Sequence, residues 1–122
     1  MTNPQTPVAI ARAFTQAWTS RDMDTAARLV ADDVIFDGPL GHTDGKKAYI
    51  EGLNGIAQAV ALTGVKIIAA FGDDTQALIM YELITGRFGA LTCAKLFTIR
   101  AGKIQTDRLT FDSYEIRKGQ ST

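Results

Sequence analysis

The sequence predicts an α+β domain in which helices come first and pack on one face of a strongly curved antiparallel sheet. Three observations carry this. Up to about residue 62, apolar residues recur at helical spacing in three segments. From Val65 onward the text changes to long β-rich runs: VKIIAAF, TQALIMYELI, LTCAKLFTIR and IQTDRLTFDSYEI. Short turn signals, GDD, TGRFGA and AGK, separate those runs, so the strands follow one another as a meander.

Thr6 and Pro7 supply a helix cap and a first-turn proline, and Ile10, Phe14, Ala17 and Trp18 then share one helical face, so a first helix is expected to about Ser20. Asp22 caps a second, short helix whose buried side is Met23, Ala26, Ala27 and Val30, with Asp32-Asp33 ending it. A strand over VIF follows, then a loop holding Pro39, Gly41 and Gly45. The third helix runs from Lys46 to about Leu62 with Ile50, Leu53, Ala57 and Val60 at helical spacing, weakened by Gly52 and Gly55. Four long strands complete the chain.

At 122 residues there is room for one domain with one core, so residues 1–122 are read as a single unit. The 13 Lys and Arg balance 13 Asp and Glu, and no basic cluster exceeds Lys46-Lys47, which argues against a nucleic acid partner. One cysteine, Cys93, allows no internal disulfide, and one histidine, His42, leaves no nitrogen and sulfur cluster for a transition metal. No metal and no cofactor are expected. MTNPQTPV lacks a basic segment followed by an apolar core, and no apolar run reaches the roughly 20 residues of a membrane helix. The expectation is a cytoplasmic protein without a membrane partner.

The element order, together with SRDMDTAARLVADDVIFDGPLG, GKKAYIEGL and AGKIQTDRLTF, resembles the nuclear transport factor 2-like superfamily, and within it the SnoaL-like polyketide cyclases and ketosteroid isomerase. The resemblance implies a cystatin-like α+β barrel: a cone of curved sheet wrapped around three N-terminal helices, open at one end onto an apolar pocket and usually dimeric. Ketosteroid isomerase moves a proton with an Asp base and holds the oxyanion with a Tyr and a protonated Asp. By similarity these positions fall at Gly38, Phe14 and Lys95, so all three groups are missing here. Strand alternation turns Asp37 away from the side of Phe36 and Gly38, so Asp37 does not simply replace the base unless a bulge before Pro39 turns it inward. Limonene epoxide hydrolase, a further relative, uses an Asp-Arg-Asp set whose positions fall at Glu82, Met80 and Leu109, and that set is not intact either.

What remains is a candidate cluster on the last strands. Arg100-Ala101-Gly102 fits a three-residue hairpin loop that pairs Ile99 with Lys103 and sets Lys95 opposite Asp107. The two share a face with Cys93, Phe97, Leu109 and Phe111, which the resemblance makes the pocket lining. Glu82, with Leu78, Met80 and Ile84, is expected on the matching face of the neighbouring strand. The candidate catalytic residues are therefore Asp107, Lys95 and Glu82; the candidate ligand-binding residues are Phe14, Trp18, Phe36, Met80, Cys93, Phe97, Leu109 and Phe111.

Burial raises a carboxylate's pKa and a nearby ammonium lowers it, so the cluster reads either as a tuned proton-transfer group or as a structural ion pair. His42 reads as solvated or as a titrating group at the pocket rim, and Tyr49 as core or as a hydroxyl donor.

Two function classes follow. One is acid-base isomerisation, cyclisation or hydration of a small apolar organic molecule; the other is a binding or carrier protein that holds such a molecule without turnover. A homodimer is expected through the outer sheet face, assigned to Ile79, Tyr81, Leu83, Ala94 and Leu96.

Overall fold

Thr6 Oγ1 accepts a hydrogen bond from the Ala9 N–H at 3.2 Å, and Pro7 occupies the first helical position, where no helical partner for its nitrogen is needed. Helix α1 (Pro7–Thr19) thus begins as the sequence dictates in this computed structural model, which describes residues 6–120. Its Ile10, Phe14 and Trp18 are buried, and truncating a ring such as Phe14 to Ala removes packing worth about 3–5 kcal/mol.

Asp22 accepts from the Thr25 N–H at 3.2 Å and opens α2 (Met23–Arg28). The helix stops sooner than its pattern suggests. Val30 is the first residue of β1 (Val30–Gly38), because the Ile104 N–H donates to Leu29 O at 2.8 Å and Val30 pairs with Ile104. Long-range pairing overrides the helical spacing here, and Asp32 and Asp33 are exposed strand residues rather than a helix stop.

The loop expected after VIF is a hairpin: β2 (Gly41–Asp44) returns along β1, pairing Phe36 with Thr43 and Asp37 with His42. Helix α3 (Lys46–Ala59) ends before Leu62, since Ala61 turns to a positive φ of 55° and Leu62 starts β3 (Leu62–Gly72). Strands β4 (Gln76–Thr85), β5 (Gly89–Arg100) and β6 (Lys103–Phe111) follow. The chain then forms α4 (Tyr114–Gln120), where the sequence pattern had extended the last strand.

The six strands form one open sheet in the order β2-β1-β6-β5-β4-β3. All neighbours are antiparallel except β1 and β6, which run parallel, so the expected meander is completed by one non-local seam. Register shifts between Ile67 and Ala69 and between Thr98 and Ile99 mark bulges that increase local twist and help the sheet curve around α1 and α3. Helix α1 packs on β3 and β4, and α3 packs on β1 and β2.

Three cross-strand rows face the helices: Phe36–Asp107–Phe97–Ala77, Leu109–Lys95–Ile79–Ala70 and Phe111–Cys93–Tyr81–Ile67. These rows correct the facing assigned to β4. Ile79, Tyr81 and Leu83 are buried, while Leu78, Met80 and Ile84 are exposed on the outer side. Both faces of β4 are apolar in sequence, so alternation alone does not say which is inside; the pairing of Ile79 with the inward Lys95 decides it. No helix among the described residues is long and apolar enough to cross a membrane.

Candidate functional site

The helices and the inner sheet face form a cleft, open to solvent at one end, of about 470 Å³, a size that takes a small organic molecule. From the sheet, Tyr81 and Leu83, then Leu91, Cys93 and Lys95, then Leu109 and Phe111 line it. Trp18 of α1 and Tyr49, Leu53 and Ile56 of α3 form the opposite wall. The β1–β2 hairpin contributes Leu40, Gly41, His42 and Thr43, and α4 contributes Ile116. Gly52 and Gly55 also line the cavity, and a Cβ at either would meet nothing within 4 Å. The glycines that weaken α3 leave open space on its cavity side.

One charged cluster lies in this apolar surround. Lys95 and Asp107 are each 1% exposed, with Lys95 Nζ 2.8 Å from Asp107 Oδ2. The pairing differs from the expected geometry. Ala101 and Gly102, at φ 52° and 75°, make a two-residue turn that pairs Arg100 with Lys103, and the bulge beyond it sets Lys95 opposite Leu109. Lys95 therefore reaches Asp107 diagonally. The parity of the strand is preserved, so both side chains still point inward.

Tyr49 donates its hydroxyl to the same oxygen, Asp107 Oδ2, which leaves Oδ1 buried without a donor. Around the ammonium stand the rings of Phe14, Trp18, Phe36, Tyr49 and Phe97, with centroids 5.1 to 5.8 Å from Nζ. Each ring offers its negative face to the cation and partly replaces lost hydration. Phe14 stacks on Tyr49 at 5.7 Å and meets Phe97 edge-on at 5.9 Å, which holds the ring set in place.

Burial, reinforced by the Asp107 charge, pushes the Tyr49 hydroxyl well above the ordinary phenol range, so Tyr49 stays a neutral donor. Burial does the same to Tyr81, with its cross-strand partner Cys93 adding to the shift. Cys93 is itself pushed up to about 11 by burial, against a smaller lowering by Lys95, and is therefore a thiol rather than a thiolate nucleophile at neutral pH.

The candidate residues separate into three groups. Lys95, Cys93, Trp18, Phe36, Leu109 and Phe111 line the cavity, with Asp107 bound directly behind Lys95. Phe14 and Phe97 are fully buried and touch the site through the ring set around Nζ rather than as cavity wall. Glu82 and Met80 are outside: Glu82 pairs with Lys66 and Thr92 on the outer face, and Met80 is 42% exposed beside Ala94. Tyr81, expected on the outer face, is a cavity residue, because it pairs with the inward-facing Cys93.

Asp37 faces outward and binds His42 Nδ1 at 2.6 Å, while Asp44 takes Nε2 at 3.0 Å. The two carboxylates occupy opposite ring nitrogens, and no group of His, Cys, Asp or Glu among the described residues is arranged to hold a metal ion. Position 38 has little room for a base, since a Cβ on Gly38 would stand 2.8 Å from the ring tip of Phe36.

Residues 11–106 match the SnoaL-like domain. Among solved structures, the chain is similar to a protein of Kribbella flavida DSM 17836, at 32% identity over 93% of each chain with a TM-score of 0.86. An LEH-like epoxide hydrolase from M. tuberculosis shares 24% identity over 93% of this chain and 87% of its own, TM-score 0.75. A Catenulispora acidiphila protein with a ketosteroid isomerase-like fold, crystallised with trimethylamine, shares 19% identity over 87% of this chain and 86% of its own, TM-score 0.74. No curated protein sequence matches the chain. A curved sheet around three helices, a cavity at its inner face and a matched domain that spans most of the chain lead to one conclusion: the protein belongs to the SnoaL-like family within the nuclear transport factor 2-like fold.

Proposed function

We propose that the protein binds a small, mainly apolar organic molecule in this cavity and acts on it by acid-base chemistry. The observation that carries the reading is the buried Lys95–Asp107–Tyr49 cluster in an otherwise apolar pocket. Burying an ion pair costs more than it returns unless its geometry is well satisfied, so a site that keeps one at its cavity has the electrostatics that proton transfer uses. In this reading the Lys95 ammonium and the neutral Tyr81 hydroxyl meet the ligand's oxygen as negative charge develops there. Asp107, directly behind Lys95 and with Oδ1 free of donors, is the final proton acceptor, reached through the Lys95 nitrogen rather than by contact with the ligand.

Trp18 is the only tryptophan and lines the cavity, so its emission reports occupancy. Titration with small cyclic ketones is expected to give a saturable change that Gly55→Phe abolishes by filling the space. Exchange of ketone α-hydrogens in heavy water, faster with the native protein than with Lys95→Met, is the catalytic signature. Absence of any Trp18 response across the series would defeat the reading.

A second reading, a carrier that binds without turnover, has its own support: the ring of Phe36 crowds the place where the isomerase base would start, and Asp107 Oδ2 is already engaged twice. Binding without α-hydrogen exchange selects it.

For assembly, we propose a second copy of this chain on the outer sheet face. Phe71, Leu78 and Leu96 form one exposed cross-strand row there, with Met80 and Ile84 beside it. A contiguous apolar face of this kind is more readily covered than left in water.

A further inference from the structure

We infer that Lys95 is an amine nucleophile that captures a small apolar aldehyde or ketone as a protonated Schiff base. The inference rests on the cavity being a ligand pocket and adds the chemical class of what enters it.

Six lysines occur in the sequence, and Lys95 alone is buried. It lines the cavity, and Nζ has no well-directed hydrogen bond, its one close contact being Asp107 Oδ2 at 2.8 Å. A lysine kept out of water in an apolar pocket is the arrangement in which an amine serves as a nucleophile toward carbonyl groups.

The step balances without an outside reagent. The ammonium passes one proton across the 2.8 Å contact to Asp107, exchanging two buried charges for an amine and a carboxylic acid. The nitrogen lone pair attacks the carbonyl carbon, a C–N bond forms, and the carbonyl π electrons move to oxygen. Two protons, one returned by Asp107 and one from nitrogen, reach that oxygen, the C–O bond breaks, and water leaves. Nitrogen begins as an ammonium and ends as an iminium with one hydrogen. Asp107 begins and ends as a carboxylate.

The surroundings suit both ends of this sequence. Positive charge stays on the same nitrogen, so the five rings that face the ammonium also face the iminium, and Asp107 remains its counterion. The apolar wall disfavours the water that would hydrolyse the product.

The test uses the full chain with benzaldehyde and cyanoborohydride at neutral pH, followed by peptide mass spectrometry, beside a Trp18 fluorescence titration with benzyl alcohol, which fits similar space but has no carbonyl. Lys95 is expected to be benzylated at least tenfold faster than any of the other lysines, and Lys95→Arg, which keeps the charge, is expected to lose the fast adduct while staying folded by circular dichroism. Benzyl alcohol quenching Trp18 with Lys95 modified no faster than the surface lysines would overturn the Schiff base and leave the pocket. Neither quenching nor labelling would remove both.

Discussion

Lys95 and Asp107 are diagonal neighbours across the β5–β6 ladder: Lys95 stands opposite Leu109, yet its Nζ lies 2.8 Å from Asp107 Oδ2. Because both side chains are out of solvent, neutralising one strands the other. Asp107→Asn is expected to destabilise the fold by about 3–5 kcal/mol, and the double change Lys95→Met with Asp107→Leu is expected to recover most of that loss. Urea unfolding of the three proteins measures this. A mild single mutant would mean that water reaches Lys95.

Tyr49→Phe tests the other half of the cluster. It removes a hydroxyl that donates to a buried carboxylate and keeps the ring that stacks on Phe14. Hydrogen bonds to charged groups contribute about 1.5–3 kcal/mol, so a loss in that range is expected by chemical denaturation. A neutral outcome would mean that the phenol and the carboxylate are independently solvated.

How much of this cluster can be read in the sequence differs by strand. On β6 Thr106, Arg108 and Thr110 alternate with Asp107, Leu109 and Phe111, and the hairpin carries that face across to Lys95 on β5, so their common face is legible even though the turn is two residues rather than three. On β4 both faces are apolar, and the sole acid, Glu82, misdirects the assignment outward-in. The hairpin at β2 was hidden because GHTD has no apolar alternation to announce a strand; its pairing comes from β1. Phe14 and Phe97 were legible as pocket-side residues, but their service to Nζ from behind the wall depends on three-dimensional packing.

Gly52 and Gly55 give a prediction in which stability and binding move in opposite directions. Each lies within α3 and has open space beyond it, so alanine is expected to stabilise the helix by about 0.5–1 kcal/mol per site. Both positions line the cavity, so the same changes are expected to weaken ligand binding. Melting curves and Trp18 titrations on the double mutant check the two signs together.

His42 carries a pH dependence. Hydrogen bonds to Asp37 first and Asp44 second raise its pKa above the ordinary value of about 6.5. A group whose pKa is raised on folding contributes stability that is fully present below about 6.5 and is lost as pH rises through the folded-state value. The chain has one histidine, so its imidazole proton signal is unambiguous by NMR. The midpoint is expected above 6.5 and should return toward it in the Asp37→Asn, Asp44→Asn double mutant; an unshifted native midpoint would refute the clamp.

The outer face predicts assembly. Light scattering at micromolar concentration is expected to give a dimer, and Met80→Lys with Leu96→Lys is expected to give a folded monomer, since both side chains are exposed at 42% and 37%. A native protein that scatters only as monomer contradicts the proposed interface.

The parallel seam between β1 and β6 also fixes when the pocket can come into being. Every other strand pair joins neighbours in sequence and closes a short loop, whereas this one ties Phe36 to Asp107 and must spend the entropy of closing most of the chain between them. Contacts of such long sequence separation slow folding, which places this closure among the costliest steps of the folding reaction. A chain that has built its helices and its β3-to-β6 meander, but has not closed the seam, has Lys95 and Asp107 in register and no Phe36 or Tyr49 fixed over them. The aromatic cover over the charged floor and the native topology are therefore acquired together, and a ligand that needs both floor and cover selects for chains that have finished folding.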